Sequence, residues 1–90
     1  MTILRLIRGP ASRADYDAVI EAVKLATRHP LGLIMHGATD IDGGIQLAEV
    51  WENEEYARRF DEEIFPTLKE LGTPRATEVM VFELHQLVTP

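Results

Sequence analysis

Apolar residues in this chain come as short dense runs and as stripes three to four positions apart, and the two patterns alternate. The run Ile3-Leu4-Arg5-Leu6-Ile7-Arg8 reads as a strand over 3–8, closed by Gly9-Pro10. Ser12, with Asp15 three residues on, has the spacing of a capping box. From there Tyr16, Val19, Ile20, Val23 and Ala26 recur at helical spacing, which predicts an amphipathic helix to about Arg28, stopped by Pro30 and Gly32. Two strand-like runs follow, near 32–41 and 44–51, around Asp42-Gly43-Gly44. Asp-Gly and Gly-Gly are strong hairpin signals, because the tight primed turns need φ > 0. Asn53 then caps a second helix, with Glu54 and Glu55 at its positive end and Tyr56, Ala57, Phe60 and Ile64 as the inward stripe. Pro66 lacks an amide donor and is expected to break or kink it, leaving a short helical piece over Thr67–Leu71. After the stop at Gly72-Thr73-Pro74, residues 76–88 read as one long final strand.

The order is β-α-β-β-α-β. It predicts a single α+β domain over 1–90 with the ferredoxin-like architecture: a four-stranded antiparallel sheet with both helices on one face. The strands are apolar on both parities. Val79 and Val81 alternate with Met80 and Phe82, and Leu33 and Met35 with Ile34 and Ala38. Two helices cover one face only, so the other is expected to meet a second copy, giving a homodimer through the sheet face.

Composition narrows the partners. A net charge of −6 argues against nucleic acid and against an anionic membrane surface. The acidic cluster from Glu52 to Glu63 reads as a solvated helix face. No run approaches the roughly 20 apolar residues of a membrane span. Arg5 and Arg8 interrupt the N-terminal run, which therefore does not read as a signal peptide, and the cytoplasm is the default expectation. There is no cysteine, and three scattered histidines do not make a metal site, so neither metal nor organic cofactor is expected. Gly-rich phosphate loops are missing, and Ser12, the only serine, is better used as a cap than as a nucleophile.

A two- or four-residue hairpin loop puts His36, Ala38, Ile45, Leu47, Glu49 and Trp51 on one sheet face. With Gly43-Gly44 as the turn, His36 faces Trp51; with Asp42-Gly43, it faces Glu49. Either register groups an imidazole, a carboxylate and an indole on an otherwise apolar surface. An imidazole can take or give a proton near neutral pH, and a neighbouring carboxylate fixes its tautomer. His36 and Glu49 are therefore the candidate catalytic pair. Trp51, Tyr56, Phe60 and Phe65 are the candidate substrate-binding walls of a pocket between sheet and helices. Each has a plainer role open to it: a half-buried histidine, a Glu49–Arg ion pair, aromatic core. Arg5 either binds an anionic group or pairs with Glu83. His29 and His85 read as a helix-end and an interface or rim residue.

Gly32-Leu33-Ile34-Met35-His36, Gly43-Gly44, Val50-Trp51-Glu52-Asn53-Glu54-Glu55 and Arg59-Phe60 together resemble the dimeric α/β-barrel superfamily. That superfamily includes antibiotic-biosynthesis monooxygenases, muconolactone isomerases, stress-responsive barrel proteins and small polyketide cyclases. Nearest are its small bacterial members related to the monooxygenases. The resemblance covers nearly the whole chain and implies a barrel formed by two copies. The monooxygenases often carry a histidine where this chain has Phe60, a departure that weighs against their oxygen chemistry. The combined expectation is cofactor-free acid/base chemistry on a small apolar, aromatic or polyketide-like molecule, of monooxygenase, cyclase or isomerase type. The alternative is a non-catalytic ligand-binding or structural dimer.

Overall fold

A computed structural model describes residues 1–89. The elements are β1 (Ile3–Gly9), α1 (Arg13–Val23), β2 (Leu33–Ile41), β3 (Gly44–Trp51), α2 (Glu54–Leu71) and β4 (Glu78–Glu83). The four strands form one sheet in the order β2-β3-β1-β4, with every neighbouring pair antiparallel. This is the ferredoxin-like arrangement, as the hydrophobic pattern predicts.

Local chemistry explains the boundaries. The Ser12 hydroxyl accepts from the Asp15 amide at 3.0 Å while the Asp15 carboxylate accepts from the Ser12 amide at 2.9 Å, closing the capping box that starts α1. The helix stops at Val23 rather than near Arg28. Lys24 adopts the left-handed conformation at φ 55°, its amide donates to Glu21, and the Leu25 amide reaches back to Ile20 at 3.1 Å. This closure turns Leu25 into the core beside Ile20, whereas Ala26, on the expected stripe, is exposed.

Asn53 caps α2 by accepting from the Tyr56 amide at 3.0 Å. The helix then runs unbroken through Pro66 to Leu71. The bond that Pro66 cannot donate would have gone to the Glu62 carbonyl; both residues are exposed, so water can satisfy that carbonyl and the break expected there does not occur. Gly72, at φ 67°, ends the helix.

The last strand is shorter than the expected 76–88. Its ladder with β1 ends at the Ile3–Glu83 pair, followed by one further bond from the Leu84 amide to the Thr2 carbonyl. Beyond that the neighbouring strand has run out, so residues 85–88 have no ladder to join.

The turn of the β2–β3 hairpin is Asp42-Gly43, with Gly43 at φ 77° and Ile41 paired to Gly44. The register places His36 opposite Glu49, and Arg5 of β1 also lies opposite Glu49. A register shift between Leu33 and Met35 lets Leu33 join the core while His36 stays on the same face.

On the helix side, Ile3, Leu25, Trp51, Ala57 and Phe60 form the core. The opposite side carries Leu4, Leu6, Met35, Ala48, Val50, Met80 and Phe82; among the described residues no helix packs on it, although Val50 at its centre is buried, at 6%. Met35 and Phe82 there are about half exposed, at 55% and 48%.

Candidate functional site

Strand alternation aims Arg5, Glu49, Trp51 and His36 at the helices from three adjacent strands. Glu49 is their hub, with only 2% of its surface exposed. Its Oε1 accepts from Arg5 Nε at 2.9 Å and from the Trp51 indole at 3.1 Å, while its Oε2 faces His36 Nδ1 at 3.0 Å. The Arg5 guanidinium also forks onto both carboxylate oxygens of Asp61 in α2, at 2.6 and 2.9 Å. Tyr16 of α1 completes the group, with its hydroxyl 2.7 Å from His36 Nε2. Among the described residues every buried side-chain nitrogen and oxygen has a partner.

Two opposed effects act on Glu49. Burial pushes its carboxyl upward. The hydrogen bond from His36, the Arg5 charge and the bonds from Trp51 and Arg5 outweigh burial and hold it below the usual glutamate range. Glu49 is thus a carboxylate, which can only accept. His36 Nδ1 must then carry the proton it shares with Glu49, and in the neutral ring Nε2 is the acceptor for the Tyr16 hydroxyl. Burial raises the Tyr16 phenol, and the charges of Asp17 and Glu49 raise it further, so it stays protonated and able to donate. For Arg5, burial works against the charge, but the hydrogen bond and charge of Asp61 and the charge of Glu49 more than restore it.

All of these groups except Trp51 border a cavity of about 290 Å³ between sheet and helices. Arg5, Tyr16, His36, Glu49 and Asp61 supply its polar side; Ile7, Val19, Ile45, Leu47, Phe60 and Leu68 supply much of its apolar wall. A mostly apolar chamber with a few convergent polar groups has the form of a small-molecule site.

Of the six residues singled out from the sequence, the structure places three on this cavity: His36, Glu49 and Phe60. Trp51 lies beneath it, fully buried, with its ring centroid 5.5 Å from that of Phe60 and its indole committed to Glu49. Tyr56 packs against Gly32, where φ is +85° and an added Cβ would collide with the ring. Phe65 points outward at 47% exposure, with the Arg75 guanidinium 5.7 Å from its ring. Tyr56 and Phe65 therefore lie away from the cavity wall.

Arg5 pairs with Glu49 and Asp61, not with Glu83, which sits opposite Ile3. Tyr16 and Asp61 are the site residues that the sequence reading passes over. A tyrosine on an inward helix stripe needs a partner for its hydroxyl, and that was the available signal for Tyr16. Asp61 gave none, since its role depends on how α2 docks.

No family model matches the sequence, and no curated protein does. Solved structures do. Rv0793 from Mycobacterium tuberculosis is 15% identical and superposes with a TM-score of 0.71 over 99% of this chain and 100% of its own. MupZ from Pseudomonas fluorescens is 14% identical, with a TM-score of 0.68 over 99% and 89% of the two chains. SnoaB from Streptomyces nogalater, a cofactor-independent oxygenase, is 17% identical, with a TM-score of 0.62 over 99% and 96%. At these identities the likeness establishes the ferredoxin-like fold of the single chain.

Proposed function

We propose that this chain acts on a small apolar molecule, aromatic or polyketide-like, by cofactor-free proton transfer in the helix–sheet cavity. His36 is the proton-transfer group and Glu49 its partner. The observation that carries the reading is the His36–Glu49 hydrogen bond on the wall of a largely apolar cavity. Glu49 holds the imidazole in one tautomer and stabilises the imidazolium once a proton arrives. His36, Arg5 and Trp51 hold Glu49 in place and keep it ionised, and Asp61 holds the other edge of the Arg5 guanidinium. Phe60 is a flat wall for a planar substrate. The resemblance to a cofactor-independent oxygenase in fold supports chemistry of this general kind, with cyclisation and isomerisation of an enolisable substrate as its near relatives.

We also assign the open sheet face to a second copy of the chain, which completes a dimeric α/β barrel. The apolar side chains exposed there support this assignment.

The test does not need the natural substrate. Polycyclic phenols and cyclic β-diketones are incubated with the protein in deuterated buffer, and exchange of their acidic C–H is followed by NMR. Exchange faster than buffer, falling by about 10²–10⁴-fold in His36→Gln, is the expected outcome for a lost general acid/base. Binding without any His36-dependent exchange would favour a carrier or binding protein.

A further inference from the structure

Both nitrogens of His36 are engaged. Nδ1 is held by Glu49 at 3.0 Å and Nε2 by the Tyr16 hydroxyl at 2.7 Å. No lone pair on the ring is left for a substrate, although both rings border the cavity. From this geometry we infer that Tyr16 is the catalytic residue that touches the substrate, and that it passes the substrate's hydroxyl proton to His36. The inference rests on the proposed function and deepens it. It also narrows the substrate class to neutral molecules that bear a phenolic or enolic hydroxyl on an apolar frame.

The proton balance closes. The substrate O–H bond breaks and its proton bonds to the Tyr16 oxygen as the Tyr16 proton moves to His36 Nε2. Tyr16 ends as it began, a neutral phenol. The substrate is left as a phenolate or enolate, and His36 as an imidazolium beside the Glu49 carboxylate. Tyr16 need never exist as a free phenolate, which suits a phenol whose ionisation is made harder by burial and by neighbouring Asp17 and Glu49. The restriction to neutral ligands follows from charge. Arg5 is the only arginine or lysine among the residues that line the cavity, and Glu49 and Asp61 already occupy it. A carboxylate ligand would meet two carboxylates and no free partner. A hydroxyl meets the oxygen of Tyr16, which can accept its proton while donating its own.

The probe is 2-naphthol, whose excited state is a strong acid and whose naphtholate emits at longer wavelength than the neutral molecule. It is used with protein in excess, and its place in the cavity is checked from NMR shifts of the Val19 and Leu47 methyls. The wild type is expected to show naphtholate emission from the bound probe. Tyr16→Phe, which removes only the hydroxyl, is expected to bind the probe but lose that band, and His36→Gln to lose it as well. A naphtholate band that persists in Tyr16→Phe and disappears in His36→Gln would show the proton going straight to His36 and would overturn the role of Tyr16 alone. If neither 2-naphthol nor 2-methoxynaphthalene shifted the cavity methyls, the small-molecule reading itself would fall, and this inference with it. Equal binding of 2-naphthoate and 2-naphthol would overturn the restriction to neutral ligands.

Discussion

At the scale of residues, Glu49 decides most of what the site can be. In the folded chain its carboxyl titrates below the usual range, whereas in the unfolded chain it titrates at the ordinary glutamate value. Between those two values the unfolded state binds more protons than the folded one. The stabilisation from Glu49 is therefore complete above the unfolded value and is lost as pH falls through the lowered one. Urea unfolding followed over a pH series is expected to show midpoints that drop in acid, with a component that vanishes in Glu49→Gln. That variant is also expected to be less stable near neutral pH by about 3 kcal/mol, the lower end for breaking a buried ion pair, because Arg5 keeps Asp61. The pairing of His36 with Glu49 was legible because a two-residue turn fixes which residues face each other, although two turns were open and the structure selects Asp42-Gly43. The Arg5–Asp61 pair was not legible. It joins residues 56 positions apart on a strand and a helix, and no sequence period relates them.

Among the elements, all six were visible in the hydrophobic pattern, and the departures are confined to their ends and to Pro66. Each has a local physical cause. The final strand stops where its partner stops. The second helix tolerates its proline because the orphaned carbonyl faces water. The first helix ends early because turning Leu25 inward buries more apolar surface than continuing the stripe to Ala26 would. That last ending carries a cost. Lys24 sits at φ 55° with a Cβ that glycine would lack. Lys24→Gly is therefore expected to stabilise the protein by about 0.5–1 kcal/mol, part of the gain being offset by greater freedom in the unfolded chain. Thermal melts at fixed protein concentration should rise by a few degrees. An unchanged or lower melting temperature would mean that the Lys24 side chain contributes a contact larger than the backbone strain it brings.

The whole molecule exposes more surface than its size requires. A compact monomer of 10.1 kDa is expected to expose about 5,300 Å². This chain exposes 6322 Å², an excess of about 1,000 Å². That excess is comparable with the roughly 800 Å² that one partner contributes to a standard protein interface. Part of it lies on the side of the sheet that no helix covers, where Met35 and Phe82 are about half exposed. A self-complementary apolar sheet is the simplest occupant of that face, since a two-fold axis buries the same side chains twice. Sedimentation at micromolar concentration is expected to give twice the chain mass. Phe82→Glu tests the contact surface directly. The side chain lies on the uncovered face of an edge strand, so the isolated fold has room for a carboxylate there. A sheet-to-sheet dimer would bury two such charges without partners, at about 3 kcal/mol or more, which weakens association by over a hundredfold. The variant should therefore keep its circular dichroism spectrum and sediment as a single chain. Should the wild type already be a single chain at that concentration, or Phe82→Glu remain paired, the second copy does not sit on this face.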